Sequence, residues 1–159
     1  MRLFRAVPAG LRRFPNPFHM GVPMSVTQLS VFVENRTGHL ADVLGTLADG
    51  GVNVLAFAIA DTIDYGILRL VVDKVEPAKD LLKAADHAVV EHQVVCTVIP
   101  DKPGVLASIV RLVAGSGLDI EYIYLGARHT LLLKAEEYER LEELLVAEGL
   151  RVLGPGDEL

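Results

Sequence analysis

The chain has a single cysteine and no tryptophan. One thiol, Cys96, can form neither an internal disulfide nor an all-thiolate metal site, which excludes disulfide scaffolds and zinc ribbons. Long apolar runs are missing too: none approaches the roughly 18 uninterrupted apolar residues of a membrane span, so no membrane partnership is expected. Positive charge is scarce, with 15 Lys and Arg against 21 Asp and Glu and a formal net charge of −6. A generic nucleic-acid binder needs a basic footprint, so no nucleic-acid partner is expected either. What is plentiful is apolar material, 51% of 159 residues, enough for one ordinary domain or two small ones with a buried core.

Acid is absent from residues 1–33, which carry Arg2, Arg5, Arg12 and Arg13 among Pro8, Pro15, Pro17 and Pro23. The rest of the chain is correspondingly more acidic than the whole. The opening stretch has no sustained helical or alternating period. A targeting peptide fits its arginines but not its prolines or its lack of a long apolar segment. A basic arm for phosphate or an acidic surface is a second reading. The plain reading is a disordered Pro-rich leader, residues 1–24, with Met20 and Met24 both standing before the first regular strand.

From residue 28 the pattern becomes regular. Residues 28–34 read as a strand, and Leu40, Val43, Leu44 and Leu47 follow at helical spacing until Gly50-Gly51 closes the helix. Residues 52–59 and 67–72 read as strands around a turn at 61–64. Pro77, Leu81, Leu82 and Ala85 mark a second helix, and residues 87–90 a fourth strand. The order is βαββαβ, and it recurs. Adding 66 carries Gly38, Leu40, Ala41, Ala48 and Gly51 onto Gly104, Leu106, Ala107, Ala114 and Gly117, and Leu29, Val31 and Val33 onto Val95, Thr97 and Ile99. The second unit continues through a strand at 118–125, a turn at Arg128, a strand at 131–134, a helix at 136–148 and a strand at 150–153. Such a duplication predicts an α+β chain of two ferredoxin-like βαββαβ domains, residues 25–92 and 93–159, each an antiparallel sheet with helices on one face. Units of about sixty residues are marginal alone, so association within the chain, and with a second copy as a homodimer, is expected.

In both units the first strand runs into a loop with Asx, a basic residue and glycine: Asn35-Arg36-Thr37-Gly38-His39-Leu40 and Asp101-Lys102-Pro103-Gly104-Val105-Leu106. Glycine lets a ligand approach the backbone, and the amides opening the next helix favour a carboxylate. Asn35 or Asp101 can accept from an ammonium on the same ligand, and a second Asx recurs at Asn53 and Asp119. Donors for a carboxylate and acceptors for an ammonium suit a free α-amino acid. The competing reading is structural: Asx before a helix is a common N-cap, and the glycine serves only the turn.

The two loops, followed by Gly51-Val52-Asn53-Val54 and Gly117-Leu118-Asp119-Ile120 within the repeated element order, resemble the ACT domain family over about residues 28–153. The resemblance implies a non-catalytic module that binds amino acids or related small ligands at a domain interface and regulates a metabolic enzyme, with no cofactor. It places first-loop contacts at Asn35, Thr37, Gly38, His39 and Leu40, and at Asp101, Pro103, Gly104, Val105 and Leu106. Second-strand contacts fall on Asn53 and Val54, and on Asp119 and Ile120. Asp101 and Asp119 repel a carboxylate, which favours the Asn35/Asn53 loop. With no catalytic or DNA-binding domain attached, the partner enzyme is expected to be a separate cytoplasmic chain. The alternative is a docking or dimerisation module with no small ligand.

Other chemistry finds no constellation. Ser108 and Ser116 lack a nucleophile-elbow turn. Cys96 lies in an apolar strand. His39, His87, His92 and His129 have no metal-ligand spacing, and His87 and His92 flank a strand, on opposite faces if that strand is unbroken. The acids from Glu136 to Glu143 read as a solvated helix face. Tyr122 and Tyr124 read as packing residues. An RNA-binding version of the fold would stack bases on central-strand aromatics, and a metallochaperone version would carry C-x-x-C in its first loop.

Overall fold

Strand β1 (Val26–Glu34) forms from an alternating segment whose Leu29, Val31 and Val33 all point into one core. The computed structural model describes residues 24–61 and 65–159. The leader up to residue 23 and turn residues 62–64 lie outside the described residues. Helix α1 (His39–Asp49) buries Val43 and Leu47 on the same core. Strand β2 (Val54–Asp61) pairs antiparallel with β3 (Tyr65–Val72), and β3 with β1, setting Leu70 opposite Leu29 and Leu68 opposite Val31. Helix α2 (Val75–Ala84) has Pro77 in its first turn, where the missing N–H is no loss, and covers the core with Ala78 and Leu82. Strand β4 (Val89–Val98) lies beside β1, so the first sheet reads β2-β3-β1-β4.

The second half of the chain repeats the plan. Helix α3 (Val105–Gly115) buries Ile109 and Val113, the positions 66 residues beyond Val43 and Leu47. Strand β5 (Tyr122–Leu125) pairs with β6 (Thr130–Lys134), and β6 with the later part of β4. Helix α4 (Tyr138–Ala147) closes the core with Leu141 and Leu145, and β7 (Val152–Leu153) pairs with β4. By their contacts the described residues divide into Val26–Gln93 and Val94–Glu158, the latter joined by residues 24 and 25. Met24 donates its backbone N–H to the buried Glu142 carboxylate at 3.0 Å. The tandem βαββαβ fold is therefore observed, with a hydrophobic core in each unit.

The glycines shared by the halves show why they match. Gly38 and Gly104 have φ of 90° and 88°, and Gly51 and Gly117 have 67° and 77°, a region costly for residues with a Cβ.

Several boundaries differ from the sequence expectation. The strand expected at 87–90 and the strand opening the second repeat are one continuous β4, in which Glu91 is exposed and His92 and Gln93 are half-buried. The helix at 136–148 shortens to α4, because Glu137 is its N-cap and Gly149, at φ 79°, ends it. The strands at 118–125 and 150–153 shrink to β5 and β7. Leu118 and Leu150 still enter the core from irregular backbone, since burial does not require a paired strand.

Cys96 is fully buried near the C-terminal end of β4, and burial pushes its thiol up to about 12. The unfolded chain ionises this group near 9, while the folded chain keeps its proton. Stability is therefore expected to fall as pH rises above about 9, by up to about 1.4 kcal/mol per pH unit. Urea midpoints against pH measure this, and Cys96→Ala should flatten that part of the profile.

Candidate functional site

Each glycine-containing loop delivers a helix start that no side chain caps. The N-caps of α1 and α3 are Gly38 and Gly104 themselves, both left-handed. Asn35 and Asp101 lie three residues earlier, exposed, and do not cap. The N-cap explanation for the two Asx residues is thereby removed, and first-turn amides lack a side-chain acceptor.

Beside the first loop lies a cavity of about 510 Å3. Its wall is formed by β1 (Phe32, Glu34), Arg36, one face of α1 (His39, Asp42, Thr46), Tyr65, and the segment after α2 (Ala85, Asp86, His87, Ala88). His39 is 9% exposed and anchored by its own loop: Nδ1 lies 3.0 Å from the Glu34 backbone nitrogen. The same ring nitrogen lies 3.3 Å from the Glu34 carbonyl oxygen. His87 lies against it, ring centroids 5.4 Å apart and tilted by 37°. Arg36 pairs with Glu34 at 2.9 Å, with both side chains more than half exposed, so the pair is weak. Asp86 holds a left-handed φ of 61° at the cavity wall.

The second loop borders a smaller cavity of about 190 Å3, lined by Ile99, Pro100, Asp101, Lys102, Val105, Leu106, Leu125, Gly126 and His129. His129 is left-handed as well, at φ 60°. Val105 stands where the first unit has His39, and Pro100 where it has Glu34, so this cavity is more apolar. Both cavities nevertheless combine cationic and anionic side chains with apolar surface, a lining that suits a small zwitterion.

The sequence-predicted residues are only partly brought together. In the first unit His39 lines the cavity; Asn35, Thr37 and Gly38 are exposed on the loop, and Leu40 is half-buried against the core. Asn53 is exposed at the entrance to β2, its backbone N–H donating to Asp73 Oδ1 at 2.8 Å, and Val54 packs on the core. In the second unit Asp101, Val105 and Leu106 line the cavity; Pro103 and Gly104 are exposed beside it, Asp119 is exposed, and Ile120 packs on the core. Sequence reasoning missed Arg36, Asp42, Tyr65, Asp86 and His87, and set His87 aside as a strand residue. It precedes β4, and only the fold of the segment after α2 carries it to His39.

Among the described residues no group of three or more His, Cys, Asp or Glu side chains can hold a metal ion, and no helix is long and apolar enough to cross a membrane.

A family model for the ACT domain pair matches residues 24–157. The chain belongs to the ACT domain family. Among solved structures, the ACT pair here resembles protein BT0572 from Bacteroides thetaiotaomicron, with a TM-score of 0.79 and 32% identity over 84% of this chain and 95% of that one. It is also similar in fold to the regulatory subunit of aspartate kinase from Thermus thermophilus in its ligand-free form, with a TM-score of 0.60 and 18% identity over 79% and 93% of the two chains. The corresponding subunit from Thermus flavus gives a TM-score of 0.60 at 17% identity, over 79% and 94%. No match was found among curated proteins.

In this ACT pair a Cβ at position 38 or 104 would meet nothing within 4 Å. The cost of Gly38→Ala is then backbone strain alone, about 1–2 kcal/mol, and the chain should still fold. A urea titration checks this.

Proposed function

We propose that the chain is a regulatory protein without catalytic chemistry of its own, which binds a free α-amino acid at the loop Asn35–Leu40, with Asp101–Leu106 as a second site of lower affinity for a carboxylate. The observation that carries this reading is the pair of uncapped, glycine-led helix starts beside cavities lined with both signs of charge. First-turn amides and Arg36 take the carboxylate, while Asn35 and Glu34 offer oxygens to the ammonium. The second loop places Asp101 against a carboxylate, which lowers its affinity.

Binding acts by linkage: the ligand favours whichever arrangement of helices or assembly binds it more tightly, and a metabolic enzyme on a separate cytoplasmic chain reads the shift. The role resembles that named for the regulatory subunit of aspartate kinase from Thermus thermophilus. Thermal unfolding of the full chain with each proteinogenic amino acid at millimolar concentration tests it. Stabilisation by one amino acid, or by a few related ones, is expected. A flat panel from a cleanly folded sample would transfer the reading to a docking module without small-molecule input.

A further inference from the structure

His39 is the first residue of α1, and its side chain reaches back across the Asn35–Gly38 loop to Glu34, the last residue of β1. There it meets both polar groups of one peptide-chain residue, the Glu34 nitrogen at 3.0 Å and the Glu34 carbonyl oxygen at 3.3 Å. The two contacts demand opposite protonation of Nδ1. Only a bare nitrogen accepts from the N–H, and only a protonated one donates to the C=O. A neutral imidazole can present a bare Nδ1, whereas an imidazolium carries a proton on both nitrogens. The loop's other ties are backbone bonds that do not titrate: Arg36 N–H to the Glu34 carbonyl at 2.8 Å, and His39 N–H to the Arg36 carbonyl at 3.3 Å.

The second unit repeats those backbone bonds, Lys102 N–H to the Pro100 carbonyl and Val105 N–H to the Lys102 carbonyl, at 3.0 and 3.3 Å. It lacks both halves of the side-chain tie, because Pro100 has no N–H and Val105 no acceptor. The tie is thus an addition to the first loop rather than a requirement of the turn. Protons reach it through the cavity of about 510 Å3 that His39 lines. The charged and titratable groups sharing that cavity are Glu34 on β1, Arg36 in the loop, Asp42 on α1, Tyr65 on β3, and Asp86 and His87 after α2. Three carboxylates against one guanidinium make a lining that tolerates an added positive charge. The His87 ring centroid is 5.4 Å from that of His39, so the two rings titrate as a coupled pair.

We propose that His39 is a proton-operated latch on the Asn35–Gly38 loop. Neutral, it accepts from the Glu34 N–H and closes the loop across the start of α1. Protonated, it loses that bond, turns an Nδ1–H toward the Glu34 carbonyl and frees the loop to rearrange. The two states differ by one proton and one backbone partner, the local change that biases a two-state element. One consequence rests on the ligand reading proposed above: acid weakens amino-acid binding at the first loop.

Nuclear magnetic resonance on the full chain, between about pH 5 and pH 8 where histidine changes charge, tests the latch. The hydrogen-exchange protection factor of the Glu34 amide should fall about fivefold on acidification, the worth of one hydrogen bond. The Lys102 and Val105 amides, bonded to backbone alone, should keep theirs. His39→Asn places an oxygen where Nδ1 stands and should hold the Glu34 protection constant, while His87→Gln should leave the fall in place. An Nδ1 already protonated at about pH 8 by its nitrogen shift, a flat Glu34 profile, or a fall that survives His39→Asn would each overturn the proposal. The amino-acid panel, run at both ends of the range, separates the two readings. Stabilisation should shrink in acid for the unaltered chain and not for His39→Asn. Equal stabilisation at both ends would overturn the latch's control of the site. A flat panel at both ends would overturn the ligand reading alone.

Discussion

A chain carrying Asn35→Ala with Gly38→Ala is expected to unfold at a temperature that no amino acid raises. The unaltered chain, at a ligand concentration about 100-fold above the dissociation constant, should gain roughly 2.7 kcal/mol. For a protein of this size that is a rise of about 5 to 10 °C. The two substitutions act by different routes. Asn35→Ala removes an exposed oxygen that can accept from the ammonium group. Gly38→Ala places a methyl at the N-cap, in front of the amides that would receive the carboxylate. Because the methyl meets nothing in the protein, the variant loses some stability but keeps its fold, so a missing ligand response is not a folding defect. Asp101→Ala with Gly104→Ala is the matched control. The response should survive there. A response abolished by the second pair and kept by the first would move the main site to the smaller cavity.

The second large effect concerns stability. Leu70→Ala in the first core and Leu133→Ala in the second each delete a fully buried side chain on a central strand. Each should cost about 3–5 kcal/mol, the lost transfer energy plus the cavity left behind. That is a large part of the roughly 5–15 kcal/mol by which domains are stable, so either variant should be partly unfolded at physiological temperature. Phe57→Ala, at a half-exposed position, should cost less than about 1 kcal/mol. Urea unfolding followed by circular dichroism separates the two outcomes.

Much of the fold was legible because its determinants are local. Val43 and Leu47, then Ile109 and Val113, announce a helix face by their spacing, and glycines at 38, 51, 104 and 117 stand where the backbone turns left-handed. The duplication multiplied that signal. The continuity of β4 was not legible, since Glu91-His92-Gln93 has the composition of a linker and only the neighbouring strands keep it extended. The cavity was hidden for a related reason. His39 and His87 are 48 residues apart, and nothing local marks them as neighbours until α2 and the segment after it fold back onto α1. The Asx residues were visible, but their freedom from capping became apparent only when Gly38 and Gly104 proved to hold the N-cap positions.

The single strand running from Val89 to Val98 has a consequence for the history of the chain. A duplication joined by a loop can be undone, because a cut in the loop returns two whole modules. Here the seam lies inside a strand that belongs to both repeats. A break at residues 93–94 divides the strand, Val89–Gln93 staying with the first unit and Val94–Val98 with the second. Separating the repeats at their boundary therefore costs each half part of a strand and not merely a loop.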